Sequence, residues 1–224
     1  MDDPLINLAP DLWVANRGFV NELGAITSRM TAIRLSNGRL LIHSPVPLEA
    51  ALRAAVEDLG PVTALLAPNL YHHLFIAEWK SAFPKARVFG VAGLAAKCRN
   101  INFDAELGAG SPNDWADEVD QLAIGGVPSY GDVVFFHRAS RTLLVSDLVF
   151  NYTPAQAAQD PGAADGLGPH RRVRVATTDA SALRESVDRI LQWPFDRVVV
   201  GHGDVVETGG HARFRDGFAY LRAI

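Results

Sequence analysis

Alternation of strand-like and helix-like segments constrains the fold of this chain more than any other feature of its sequence. In the first half, apolar runs at residues 30–35 and 40–43 flank Ser36-Asn37-Gly38, and Asn-Gly between two such runs is the strongest short signal for a β-hairpin. The predicted elements that follow are a helix at 48–59, a strand at 62–67, a helix at 74–83 and a strand at 87–91. This order predicts a sheet with helices packed outside it.

The second half of the chain repeats this style. Strands are predicted at 119–124, 133–137, 142–146 and 197–200, and helices at 178–192 and 210–224. Asp179 is a predicted N-cap of the first of these helices. Residues 152–173 are rich in Gly, Ala and Pro without periodicity, which predicts a lid or a disordered excursion. Because no repeat or linker interrupts the pattern, we expect residues 1–224 to form one domain, a four-layer αββα sandwich.

Composition excludes several classes of protein. Of 224 residues, 48% are hydrophobic and 21% charged, which is typical of a globular chain. A net charge of −4 disfavours nucleic-acid binding. The acidic start Met1-Asp2-Asp3-Pro4 is unlike a signal peptide, and the apolar runs are too short to span a membrane. Cys98 is the single cysteine, which excludes an internal disulfide and favours the cytoplasm; we expect a buried or incidental thiol.

Polar side chains follow four of the predicted strands. They are His43, the group Asn69-Leu70-Tyr71-His72-His73, Asp147 and His202. Any one of them could be a turn former, but strand ends that meet at one edge would bring imidazole and carboxylate groups together. These groups are the donors that zinc and iron prefer.

These residues carry a family resemblance that extends from Leu12 to about Phe218. Gly201-His202-Gly203 after a Val-rich strand resembles the final ligand motif of the metallo-β-lactamase superfamily, and the strand that ends at Asp147 resembles the one that delivers its bridging aspartate. Residues 67–79 stand where that superfamily has its His-x-His-x-Asp-His signature. Together with His43-Ser44-Pro45, the chain resembles a divergent bacterial branch.

The signature is incomplete here. Aligned with it, Asn69 and Tyr71 replace the first two histidines, His73 stands at the aspartate and Leu74 replaces the last histidine. The family's middle histidine falls near residues 127–131, where Pro128-Ser129-Tyr130 stands. The resemblance therefore implies that the first metal position is lost and that His73, Asp147 and His202 hold a single Zn or Fe ion. Two histidines and a carboxylate are suited to either metal.

The neighbours of the predicted ligands receive other roles. His72 and Tyr71 are the candidate catalytic residues, for proton transfer or oxyanion stabilisation, with a solvated loop position open for His72. His43 stands where the family has an aspartate that supports a metal ligand, and His43 and Asn69 are predicted to support the site or line its cleft. We expect Asp204 to be a turn residue, His137 to be structural and His170 and His211 to lie on the surface. Arg171, Arg172 and Arg174 form either a solvated face or an anion grip.

Two functions remain open at this point. The first is a metal-dependent, hydrolase-like enzyme with a mononuclear Zn or Fe site that acts on a small molecule. The second is a metal-free relative, without catalysis, that binds a small ligand or a partner. Loss of histidines at Asn69, Tyr71 and Leu74 favours the second function, whereas retention of Asp147 and His202 favours the first. Neither the substrate nor the oligomeric state follows from the sequence.

Overall fold

A computed structural model describes residues 4–21, 24–108, 114–160, 162–164 and 166–222. The chain divides into two compact units, Met1–Leu107 and Gly108–Ile224. No helix in these described ranges is long and apolar enough to cross a membrane. The sequence-based expectation of one domain stays a prediction.

The first unit is built on a seven-stranded sheet in which sequence order and spatial order coincide. Its strands are β1 (Ile6–Ala9), β2 (Leu12–Asn21), β3 (Gly24–Arg34), β4 (Leu40–His43), β5 (Val62–Ala67), β6 (Arg87–Val91) and β7 (Ala105–Leu107). Its helices are α1 (Ala50–Leu59), α2 (Ile76–Ala82) and α3 (Leu94–Lys97). Strands β1 to β4 pair antiparallel, and β4 to β7 pair parallel. Each parallel step needs a crossover connection, and the three connections contain α1, α2 and α3 in turn.

The hairpin between β3 and β4 forms as its Asn-Gly sequence predicts. Gly38 takes a positive φ of 81°, and the Asn37 side chain accepts a hydrogen bond from the Arg39 amide at 3.0 Å. This turn sets the register in which Thr31 faces His43. His43 therefore stands at the end of β4, one residue before the chain leaves the sheet.

The second unit contains a four-stranded sheet of order β13-β10-β9-β8 and a two-stranded sheet of β11 and β12. The strands are β8 (Val119–Ala123), β9 (Val133–His137), β10 (Thr142–Val145), β11 (Phe150–Asn151), β12 (Leu167–Gly168) and β13 (Arg197–Val200). The helices are α4 (Pro154–Ala157), α5 (Arg171–Ala176), α6 (Ala180–Ile190) and α7 (Gly210–Gly217), followed by a 3₁₀ turn at Ala219–Arg222. Apolar side chains of β8, β9, β10, β13, α6 and α7 form the core of this unit.

The long helix of the second unit shows why these segments fold as they do. Asp179 caps α6, since its Oδ1 accepts hydrogen bonds from the amides of Ser181 and Ala182, both at 3.0 Å. Leu183, Val187 and Ile190 are buried on one face, as helical spacing requires. The cap predicted from the sequence is confirmed.

The segment 152–173, predicted to be a lid or a disordered excursion, contains three short regular elements. Helix α4 begins with a capping box, in which Thr153 Oγ1 accepts from the Gln156 amide at 3.3 Å and Gln156 Oε1 accepts from the Thr153 amide at 2.8 Å. Strand β12 pairs with β11, and α5 follows it. Elements of two to six residues are too short to show periodicity. Residues 161 and 165 of this segment lie outside the described ranges, and its role as a lid stays a prediction.

Candidate functional site

In the second unit, Asp147 and His202 stand side by side because their strands are parallel neighbours. Val145 of β10 pairs with Val200 of β13, so the residues two positions further along each strand leave the sheet at the same level. His202 Nε2 lies 3.2 Å from Asp147 Oδ1, and the two side chains are 14% and 7% exposed. The Asp147 amide donates to Asp132 Oδ1 at 3.4 Å. The pair is thus nearly buried, with its carboxylate and imidazole in contact.

The loop that carries His202 depends on the glycine that follows it. Gly203 has a positive φ of 91°, and a Cβ added there would lie 2.2 Å from the carbonyl oxygen of Asn151. A side chain at this position would therefore meet both an unfavourable backbone conformation and a rigid backbone atom. The second glycine of the Gly-His-Gly sequence, Gly203, thus allows the close approach of the Asn151 backbone.

We expect Gly203→Ala to lower the free energy of unfolding by about 2 kcal/mol or more, because left-handed strain and steric overlap add. Gly209→Ala is the matched control, since Gly209 also has a positive φ of 68° but a Cβ there meets nothing within 4 Å. It should lose only about 1 kcal/mol. Urea unfolding of both variants checks this prediction, and equal losses would contradict it.

In the first unit, Asn69 shapes the loop that carries the neighbouring histidines. Its side chain is buried, and its Oδ1 accepts hydrogen bonds from the amides of Tyr71 at 2.8 Å and His72 at 2.7 Å. This is the arrangement of an Asx turn, in which a side-chain oxygen takes the place of a backbone acceptor. Asn69, predicted to buttress the site, fixes the backbone from which His72 projects.

The ring of His72 is oriented by Ser44. Ser44 Oγ lies 2.5 Å from His72 Nδ1, and the Ser44 amide donates to the Leu66 carbonyl at 3.0 Å. Ser44 is buried and has a positive φ of 55°, which is uncommon for a residue with a side chain. The contact with Ser44 thus fixes the orientation of the His72 ring.

His43 stays neutral in the folded protein. Its side chain is 3% exposed, and burial, followed by the electrostatic effect of the neighbouring His72, lowers its pKa from 6.5 to about 3. A cation in this place would lose its hydration without compensation. His43 is thus a buried neutral group at the end of β4, and its supporting role stays a prediction.

His73 points toward Cys98 in the first unit. The Cys98 sulfur lies 3.4 Å from His73 Nδ1 and 3.7 Å from Nε2. Burial, followed by the charge of Lys97, lowers the pKa of His73, and burial raises the pKa of Cys98. A protonated thiol is a poor nucleophile, so the prediction of a buried or incidental thiol agrees with the environment of Cys98.

Tyr71 is the exposed member of the loop. Its side chain is 48% exposed, and Lys97 Nζ lies 4.8 Å from the centre of its ring. The same ammonium donates to the Leu70 carbonyl at 2.5 Å. The catalytic role predicted for Tyr71 stays a prediction.

The other predicted histidines fall into three environments. His137 is buried with Nδ1 2.7 Å from Ser140 Oγ, in agreement with its structural role. The prediction that His170 lies on the surface is wrong, because it is buried and its Nε2 is 3.0 Å from Asp160 Oδ1. That bond is non-local, and the sequence gives no sign of it. His211 is half-buried, with Nε2 2.9 Å from the Leu191 carbonyl.

Two further predictions concern turns and surface charge. Asp204 is exposed after the Gly-His-Gly loop, as expected of a turn residue. Arg171, Arg172 and Arg174 are exposed on α5, and the Arg174 guanidinium lies 4.5 Å from the Tyr220 ring centre. The residues near the missing middle histidine make turns, with amides of Tyr130 and Gly131 bonded to the Val127 carbonyl at 3.1 and 3.2 Å.

Sequence reasoning missed several residues around the second-unit pair. The Phe150 ring contacts His202, with centroids 5.0 Å apart, and Tyr152, with centroids 5.4 Å apart. Tyr152 is half-buried, and burial, then Asp160 and Asp147, raises the pKa of its hydroxyl. The signal that could have identified them is the aromatic-Asn-aromatic sequence at residues 150–152, soon after the strand that precedes Asp147.

Comparison with known proteins agrees with this architecture. The model of a family described as a domain of unknown function, DUF4336, matches residues 22–163. No curated protein matches the sequence. A metallo-β-lactamase from Pontibacter korlensis superposes with a TM-score of 0.68 at 11% identity, over 98% of this chain and 99% of the other.

Two other solved structures differ in the metal that their descriptions name. The metallo-β-lactamase FIM-1 from Pseudomonas aeruginosa, in a mono-zinc form, gives a TM-score of 0.68 at 9% identity, over 98% of this chain and 94% of that one. The Flv1 flavodiiron core from Synechocystis gives 0.68 at 11% identity, over 98% of this chain and 60% of that one. The predicted α/β fold of the metallo-β-lactamase type is confirmed.

Proposed function

Since the chain belongs to the DUF4336 family and has the metallo-β-lactamase fold, we propose that it holds one divalent metal ion and acts on a small molecule as a metal-dependent hydrolase. The observation that carries this proposal is the pair of Asp147 and His202, whose donor atoms lie 3.2 Å apart. Burying a carboxylate is expensive unless a cation or hydrogen bonds compensate it. A metal ion between these groups would supply that compensation.

We infer that His72, rather than the His73 expected from the sequence, is the third ligand. Within the first unit, the loop held by Asn69 offers two adjacent histidines whose rings have different partners. The contact of Ser44 with His72 Nδ1 supports this assignment, because a metal-binding histidine usually engages its other ring nitrogen in a hydrogen bond. His73 instead faces Cys98.

The donor set fits one ion better than two. Asn69 uses its side-chain oxygen to hold the loop, and the turn at 127–131 places no histidine where the family has one. Two histidines and a carboxylate suit Zn²⁺ and Fe²⁺ alike. The mono-zinc form of FIM-1 and the flavodiiron core of Flv1 are structures of this fold with either metal named. A bound ion would supply Lewis-acid polarisation of a substrate carbonyl or ester.

The remaining chemistry belongs to side chains near the ligands. Tyr71, exposed beside Lys97, is proposed to donate a hydrogen bond to the developing oxyanion. Tyr152, whose hydroxyl is held protonated by burial and nearby carboxylates, is a second proton donor. Neutral His43 keeps positive charge away from the ligands. With His72 assigned to the metal, its predicted role in proton transfer passes to these phenols.

Metal analysis of paired histidine variants tests the proposal. Protein purified without added metal and then reconstituted should contain close to one equivalent of Zn²⁺ or Fe²⁺. His72→Ala should lose most of it, because two donors rarely suffice, whereas His73→Ala should retain it. Plasma emission spectrometry gives the stoichiometry.

The alternative outcomes separate the competing assignments. Loss of metal in His73→Ala with retention in His72→Ala would restore His73 as the ligand. A parent protein that stays free of metal after reconstitution would favour a metal-free relative that binds a small ligand. The proposed setting is the cytoplasm, where the single cysteine stays reduced.

A further inference from the structure

Asn151 contacts the loop that carries His202 through both of its backbone groups. Its amide donates to the His202 carbonyl at 3.3 Å, and its carbonyl accepts from the Asp204 amide at 2.7 Å. These bonds form an isolated parallel bridge between Asn151 and Gly203. The backbone on both sides of Gly203 is therefore tied to one residue.

The side chain of Asn151 completes the same network. Its Nδ2 donates to the Asp204 carbonyl at 2.8 Å, and its Oδ1 accepts from Arg213 at 3.0 Å. A carbonyl can only accept and a guanidinium can only donate, so the two partners fix the orientation of the amide. Asn151 is buried, and every polar group it has is engaged.

The position of Asn151 in the chain links it to both ligands of the second unit. It lies four residues after Asp147 in the sequence, and the ring of Phe150 beside it contacts the His202 ring. A single short segment thus carries the carboxylate ligand and holds the loop of the histidine ligand. Arg213 extends the network to α7.

We propose that Asn151 is a positioning residue that sets the placement of His202 for metal binding, with Arg213 holding the Asn151 amide in the required orientation. The inference rests on the proposed metal site. Partners that orient a ligand typically change metal affinity by about 10–100-fold when removed. Asn151 acts on His202 through the backbone of residues 202–204 and makes no contact with the ion.

Variants that alter one bond at a time test this role. Asn151→Asp keeps an acceptor for Arg213 but places an oxygen against the Asp204 carbonyl. Arg213→Met removes the donor to Oδ1, and Arg213→Lys restores a cationic donor. Arg215→Met is the matched control on the same helix, because the Arg215 guanidinium pairs with the Asp216 carboxylate at the surface.

The measurement is the affinity of chelator-treated full-length protein for Co²⁺ and Zn²⁺, by competition with a chromophoric chelator. Asn151→Asp and Arg213→Met should bind about 10–100-fold more weakly and should shift the visible absorption bands of the Co²⁺ form. Arg213→Lys should recover part of the affinity, and Arg215→Met should match the parent. Parent-like affinity and spectrum in Asn151→Asp and Arg213→Met would overturn the inference while the metal site stands.

Hydrogen exchange keeps the inference testable if the parent binds no metal. In metal-free protein, the Asp204 amide, which donates to Asn151, should lose protection in Arg213→Met but not in Arg215→Met. Failure of the parent to bind Co²⁺ or Zn²⁺ would end the proposed function. Unchanged protection of Asp204 would separately end the positioning role.

Discussion

Replacing Asp147 by Ala is expected to abolish metal binding and to remove a stabilisation of about 2.7 kcal/mol, the value for an ion present at a hundredfold excess over its dissociation constant. For a chain of this size, that corresponds to a fall in melting temperature of about 5–10 °C relative to the metal-loaded parent. The physical reason is that Asp147 supplies the single carboxylate of the proposed ligand set. Two imidazoles without it bring no negative charge to the ion.

A chelator separates this effect from ordinary destabilisation. Removal of the carboxylate also changes the metal-free protein, since Asp147 is buried beside His202, and relief of its desolvation can offset lost contacts. The informative quantity is therefore the difference in melting temperature with and without chelator. We expect about 5–10 °C in the parent and none in Asp147→Ala.

Asp204→Ala is the matched control for the loss of a carboxylate. Asp204 is exposed two residues after His202, and its bonds to Asn151 are made by the backbone. Its variant should keep the full chelator response. A chelator response that persists in Asp147→Ala would show that the ion binds elsewhere.

The parts of the site that follow regular strands were predictable from the sequence. Apolar runs of four or five residues that end in Asp147 and His202 indicate buried strands, and buried parallel strands bring their carboxyl ends to one edge. The register of β10 and β13 bears this out, because Val145 faces Val200. Here the apolar pattern of each strand was enough to predict which residues stand at the strand ends.

The choice between His72 and His73 could not be made in this way. The two residues are adjacent, and the direction of each ring is set by contacts far away in the sequence. Ser44, 28 residues before His72, holds its Nδ1, and Cys98, 25 residues after His73, contacts the other ring. No periodicity encodes such contacts, so a family signature with several substituted positions could not assign the ligand.

The burial of His170 escaped prediction for a related reason. Its ring is enclosed by Gly162, where an added Cβ would lie 2.1 Å from the His170 Cε1 atom, and by Phe150, with ring centroids 5.4 Å apart. Both neighbours belong to a segment whose elements are too short to produce a pattern. In the sequence, Pro169 precedes His170 and two arginines follow it. Such neighbours suggest a position on the surface, but the tertiary contacts bury the ring.

The stability of the protein is expected to decrease with acid because of His43. In the folded state its pKa is about 3, lowered by burial and then by His72, against 6.5 when unfolded. Above pH 6.5 the residue is neutral in both states and has no effect. Between pH 6.5 and 3, His43 is protonated in the unfolded chain but not in the folded protein. The free energy of unfolding therefore falls by about 1.4 kcal/mol for each unit by which the pH decreases.

Comparison of pH profiles isolates this contribution from that of the carboxylates. His43→Gln keeps a polar side chain that does not titrate, so its profile should lack the loss, and the gap between the two curves should change by about 2–3 kcal/mol between pH 7 and 4.5. Urea unfolding at half-unit steps of pH, with chelator present so that metal release does not contribute, gives both curves.

The control variant is His211→Gln, which replaces a half-buried histidine elsewhere in the chain. It should retain the parent's acid sensitivity. Parallel curves for the parent and His43→Gln would mean that the folded protein accepts a proton on His43, and the neutral state assigned to this residue would then be wrong.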